Sequence, residues 1–158
     1  MLKALLAVLL LAPNAGAWGK TDPIEERFKK ANALIEKEKF AEARNELDEA
    51  LGEMAKEDPR LVRYHERTGA AWLQEGKVKE ARASFTAALK ATQRLSVKDD
   101  SGAKAYTGMG LCLRREGNDK YALRFFKKAL GFKLDEGTKM FAEDQIREIE
   151  GAPPQAAK

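Results

Sequence analysis

Small and apolar residues return in step along the chain. Gly69, Gly76, Ala81, Phe85, Ala88 and Leu89 recur as Gly110, Gly117, Ala122, Phe126, Ala129 and Leu130, with spacings of 7, 5, 4, 3 and 1 in both copies. An earlier stretch keeps that spacing as Ala31, Glu38, Ala43, Leu47, Ala50 and Leu51. Steps of three, four and seven place side chains on one face of an α-helix, and a glycine between two such runs marks a turn. Each copy therefore reads as two helices joined tightly. The pattern predicts helices near 23–37, 40–56, 60–75, 78–93, 101–116 and 119–133. Met140, Phe141, Ile146 and Ile149 give a seventh, near 136–150, an apolar face with which to cover the end of the array. Asp22-Pro23 offers an N-cap followed by proline at the first helical position, and Asp135 or the run Asp99 to Ser101 can cap later starts.

Composition agrees with helix throughout. The prolines stand at 13, 23, 59, 153 and 154, so only Pro59 interrupts the stretch from Ile24 to Ala152. Four valines and four isoleucines are too few to furnish a sheet, whereas Ala, Leu, Glu, Lys and Arg dominate. The first residues have a different layout. Lys3 precedes an unbroken apolar run from Ala4 to Ala12, and Ala15-Gly16-Ala17 follows, the order expected of a secretory signal peptide over residues 1–17. Nine apolar residues rise only about 14 Å as a helix, under half of a bilayer's hydrocarbon core, so a membrane anchor is not expected. The expected division is a signal peptide at 1–17, one repeat domain at 18–150 and a frayed tail at 151–158. The only cysteine, Cys112, excludes an internal disulfide and leaves packing to hold the fold.

The recurring residues resemble the tetratricopeptide repeat over about Pro23 to Phe132: a small residue in a first helix, a glycine turn, an alanine, an aromatic four later and an alanine three beyond. Two antiparallel helices can cross closely only where side chains are no larger than glycine or alanine, which makes Gly69 and Gly110 the expected crossing points. The third copy is the best match. The family's first-helix aromatic is Tyr106 there, but His65 in the second copy and Arg27 in the first, and its leucine three residues on becomes Met109, Thr68 and Lys30. Copies are offset by 38 and 41 residues, against about 34 in the standard unit, and longer second helices are expected to absorb the excess. The resemblance implies an all-α, right-handed solenoid of three antiparallel helix pairs with a capping helix.

It also implies a concave groove, lined by the first helices, that takes an extended peptide or a helix of another protein. Carried over position by position, the lining comprises Glu25, Phe28, Asn32 and Ile35, then Arg63, Glu66, Ala70, Leu73 and Gln74, then Lys104, Thr107, Leu111, Arg114 and Arg115. That is an apolar floor with charged edges. The family's chaperone-binding subgroup holds a terminal carboxylate with a first-helix Lys and Asn; here Phe28 replaces the lysine while Asn32 is kept, and no such clamp is inferred.

Catalytic or metal chemistry is not expected. His65, the only histidine, stands in a packing register, and Cys112 aligns with Ala33 and Ala71 as a small buried residue. A second His or Cys for a metal site is missing, and so are a phosphate loop, a nucleophile elbow and an HExxH motif. No cofactor is expected, and the reading is of a non-enzymatic scaffold.

The net charge of +4 is unevenly spread. Asp22 to Arg60 holds 8 basic and 12 acidic residues, while Ser101 to Lys133 holds 8 and 2. Arg114, Arg115, Lys120, Arg124, Lys127, Lys128 and Lys133 carry most of that excess, so the alternative reading is a protein binding anionic lipid or wall polymer. No nucleic-acid partner is expected, because no aromatic stacking pattern accompanies the basic residues. Together with the leader, the repeat predicts an adaptor that binds a protein or peptide partner in the bacterial periplasm.

Overall fold

In the computed structural model, residues 21–151 are described; the expected signal peptide at 1–17 and the tail beyond Gly151 lie outside them. Seven helices follow one another: α1 Pro23–Glu36, α2 Phe40–Glu53, α3 Leu61–Gln74, α4 Val78–Arg94, α5 Asp100–Arg115, α6 Asp119–Ala129 and α7 Glu136–Glu150. They pair in sequence order as α1/α2, α3/α4 and α5/α6, with α7 against α6 and α5 at one end. This is an all-α solenoid, as the repeat predicts. Among the described residues, no helix is long and apolar enough to cross a membrane.

Local chemistry sets the helix starts. Asp22 accepts from Ile24 N at 2.9 Å with Pro23 at the first turn, Asp99 accepts from Ser101 N and Gly102 N, and Asp135 accepts from Thr138 N. Within each pair the turn passes through one left-handed residue, which is Gly76 (φ 84°), Gly117 (φ 77°) and, in the first pair, Glu38 (φ 59°). Glycine takes that conformation without a Cβ clash; glutamate does not.

Helix crossings form the core. Gly69 lies so close to its pair's aromatic that a Cβ there would stand 2.8 Å from the Phe85 ring, and one on Gly110 would stand 2.7 Å from Phe126. The Phe85 ring also presses on Gly108 of the next pair, so one phenylalanine seals both its own crossing and the junction to α5. In the first pair, Ala31 and Leu47 occupy these registers, both fully buried. Between the first and second pairs, Arg44 lies over the Trp72 ring at 3.4 Å while pairing with Glu75 at 2.7 Å.

Two boundaries differ from the sequence expectation. α2 stops at Glu53 rather than near 56 because Met54 turns extended (ψ 140°), so the first interval's extra length lies in the connection 54–60, not in a longer second helix. There Asp58 accepts from the backbone and guanidinium of Arg60. α4 does lengthen, to 17 residues. α6 ends at Ala129 rather than near 133: Gly131 N and Phe132 N bond three residues back, and Phe132 turns in against Tyr106 at 5.2 Å between ring centres.

Candidate functional site

α1, α3 and α5 repeat one register, so equivalent residues form rows across their shared face. The outermost row is Glu25, Arg63 and Lys104. Arg63 pairs with Glu25 and stacks over the Phe28 ring at 4.0 Å; Lys104 is held by Asp100 at 2.5 Å and by Asp135 at 3.2 Å. These pairs tie α1 to α3, and α5 to the start of α7. The carboxylates around Lys104 hold its ammonium above the usual lysine range, although burial opposes this.

The next row is Phe28, Glu66 and Thr107, all buried, with 2%, 4% and 6% of their surface exposed. One register thus carries an aromatic ring, a carboxyl and a hydroxyl in succession, and the floor is not uniformly apolar as the residue mix suggests. Glu66 Oε2 and Thr107 Oγ1 have no hydrogen-bond partner among the described residues. Arg67 Nε lies 3.4 Å from Glu66 Oε2, near enough for charge attraction but not aligned as a hydrogen bond. Burial pushes the Glu66 carboxyl above its ordinary 4.5, against the opposing pull of Arg67 and Lys104.

Two hollows open on this face. One, of about 450 Å³, is polar and bordered by Glu25, Arg63, Glu66, Arg67 and Lys104. The other, of about 510 Å³, lies toward the far ends of α3 and α5 and is walled by Ala70, Leu73, Leu111, Phe85 and Phe141. Glu66 and Lys104 border both. Of the residues carried over from the repeat, Glu25, Arg63, Glu66, Ala70, Leu73, Gln74, Lys104, Thr107, Leu111 and Arg115 therefore come together around these openings. Phe28 is buried beneath Arg63, and Asn32 and Ile35 lie on α1 away from both hollows, with Asn32 Oδ1 unpartnered among the described residues. Arg114 turns to α7, where it donates to Gln145 at 2.6 Å and Glu148 at 2.7 Å, and Arg115 donates to the Leu73 carbonyl at 2.6 Å.

Repeat logic does not supply the wall contributed by the α7 start: Asp135, Thr138 and the 40%-exposed Phe141. The signal available for it is a capping aspartate followed six residues later by an aromatic, which marks an amphipathic start but not its docking place. Elsewhere, His65 packs edge-on against Tyr64 at 4.8 Å, and burial lowers its pKa. The Cys112 thiol is fully buried and pushed up to about 11, the opposite of an activated nucleophile. Among the described residues, no group of His, Cys, Asp and Glu side chains is placed to hold a metal.

Compared by sequence with protein-family models and with curated proteins, the chain has no significant match. Solved structures do match. The TPR2AB domain of yeast Sti1, solved in complex with pHSP90, superposes with a TM-score of 0.66 at 14% identity over 81% of this chain and 48% of that one, so the chain spans about half of it. The Sgt2 TPR domain from Aspergillus fumigatus gives 0.60 at 20% identity over 89% and 91%, and a TPR-like protein from Chlorobium tepidum gives 0.63 at 20% over 81% and 94%. With paired helices, glycine crossings and these neighbours agreeing, the fold is that of a tetratricopeptide repeat domain.

Proposed function

We propose that this chain is a non-enzymatic adaptor that binds an extended peptide of another protein in the groove of α1, α3 and α5, and that it works in the periplasm after export. The observation that carries the binding reading is the hollow between Leu73, Leu111 and Phe141, an apolar wall rising from a floor where Glu66 Oε2 and Thr107 Oγ1 have no hydrogen-bond partner among the described residues. Such a site buries side chains of a guest for affinity and orients its polar groups for specificity. The likeness to repeat domains supports it, since the Sti1 structure is a complex with another protein. The export reading rests on Lys3, the run Ala4 to Ala12 and the Ala15-Gly16-Ala17 end.

Leu111→Glu places a charge on the apolar wall without touching a helix crossing. Binding of a peptide selected on the wild-type chain should fall at least about tenfold, with far-ultraviolet circular dichroism unchanged; undiminished binding would place the guest elsewhere. Sequencing the periplasmic form should give Trp18 first.

The alternative, an anionic lipid or wall polymer, is favoured by one feature. Lys120, Arg124 and Lys133 are exposed on and just after α6 and form no ion pair among the described residues, unlike Lys127, which pairs with Glu150 at 2.7 Å. Contact of that kind should fade steeply between low and high salt, whereas groove binding should persist.

A further inference from the structure

We propose that the centre of the groove, between Glu66 and Thr107, is a subsite for a primary carboxamide, the side chain of an asparagine or glutamine presented by the bound peptide. This rests on the groove reading above. Glu66 and Thr107 occupy the same register of α3 and α5, two helices packed against each other. Both border the larger hollow, both are more than nine-tenths buried, and each keeps an oxygen without a hydrogen-bond partner among the described residues, Glu66 Oε2 having only the misaligned Arg67 Nε at 3.4 Å. A guest must therefore bring a donor for one oxygen and engage the other, because a buried polar group left unpaired weakens binding.

The charges around the hollows exclude the other guests. Lining the two hollows are the cations Arg60, Arg63, Arg67, Lys104 and Arg115 and the anions Glu25, Glu66, Asp99, Asp100 and Asp135. The ten balance, five cations against five anions. A guest ammonium or a guest carboxylate therefore meets as many like charges as opposite ones and gains no net attraction for the hydration it gives up. An apolar side chain would leave both oxygens unsatisfied. A carboxamide is neutral and carries both functions: its N–H donates to Glu66 Oε2, and its carbonyl accepts from the Thr107 hydroxyl. The apolar wall of Leu73, Leu111 and Phe141 then takes the methylenes and the flanking residue.

The test uses the full chain and four N-acetylated, C-amidated nonapeptides of alanine and leucine that differ only in a central Gln, Met, Glu or Lys, followed by fluorescence anisotropy. The Gln peptide should bind about tenfold more tightly than the Met peptide. Glu66→Met should abolish that preference while the variant still unfolds cooperatively, and Thr107→Val should reduce it. The assignment is overturned if the Met, Glu or Lys peptide binds best, or if the Gln preference survives Glu66→Met. Should all four bind alike and all be lost in Leu111→Glu, the groove reading stands and the carboxamide subsite falls. Absence of binding by any of the four overturns both.

Discussion

The first and third helix pairs solve one packing problem with different chemistry. In α5/α6 a bare Gly110 receives the Phe126 ring, and Tyr106 packs on Phe132 and Phe125 at 5.2 and 6.1 Å. In α1/α2 the same registers hold Ala31, Leu47 and Arg27, and Arg27 reaches into a fan of carboxylates on α2: Glu46 at 3.2 Å, Glu53 at 3.1 Å and Glu49. The third pair is closed by a ring on a glycine, the first by a smaller contact edged with charge. Buried rings contribute through area and shape, while half-exposed ions are screened by solvent. The pairs should accordingly respond to mutation on different scales.

The largest effect is expected at the glycine crossing. Gly110→Leu forces a side chain into the Phe126 ring and should cost about 3 kcal/mol, read from the denaturant midpoint. Converting the third crossing into the first sharpens the comparison. Gly110→Ala and Phe126→Leu should each destabilise by about 1–2 kcal/mol, but the double variant, which reproduces the Ala31/Leu47 combination, by less than the sum. Strict additivity would show that ring and glycine are not coupled.

Next in size is the floor row, where the first pair carries Phe28 and the second carries Glu66. Glu66→Met extends the apolar floor and should raise stability by about 1–2 kcal/mol by removing an unsatisfied buried carboxyl. The pH dependence has a definite sign. Because the folded pKa of Glu66 is raised, the native state keeps a proton that the unfolded chain releases above about 4.5, so this residue's contribution worsens as pH rises through its folded pKa. The advantage of Glu66→Met over wild type should thus grow from pH 4.5 upward and level off once folded Glu66 is ionised. Asp58 and Glu46 have lowered values, so their contributions disappear only as pH falls below the ordinary carboxylate range, a separate window.

A smaller gain is expected at the first turn. Glu38→Gly gives the first pair the residue that the other two use at this left-handed position and should stabilise by up to about 1 kcal/mol, part of the relieved strain being offset by a more flexible unfolded chain. The smallest effect belongs to Arg27→Met. Its three carboxylates raise the arginine's pKa, with Glu53 the largest cause, yet the cluster stays open to solvent at its edge, so the melting temperature should barely move and high salt should erase the difference. A large loss there would mean that the charge fan, not Ala31 against Leu47, closes the first pair.

Much of this fold is legible in the residues. The step from Gly69 to Phe85 and from Gly110 to Phe126 specifies which helices cross and where, because only a residue without a side chain lets a ring sit on the backbone. Asp22, Asp99 and Asp135 announce helix starts for an equally local reason. The ends at Glu53 and Ala129 are less legible, since Met54 and Phe132 leave the helix for contacts made only after the chain has folded back. The same holds at the groove. Its rows follow from repeat register alone, but Arg114 turns away to Gln145 and Glu148, partners more than 30 residues distant on a helix outside the repeat.

What the sequence determined by itself is therefore the set of helices, their pairing and the register of their shared face, all fixed by spacings within about one helix pair. Only the tertiary structure decided where α7 docks, that Phe85 is gripped by Gly108 as well as Gly69, and that Glu66 Oε2 and Thr107 Oγ1 end buried without hydrogen-bond partners among the described residues. Spacing along one chain says which side of a helix a residue occupies. Whether a polar atom there meets a partner depends on the angle and distance of the neighbouring helix, which no local pattern encodes.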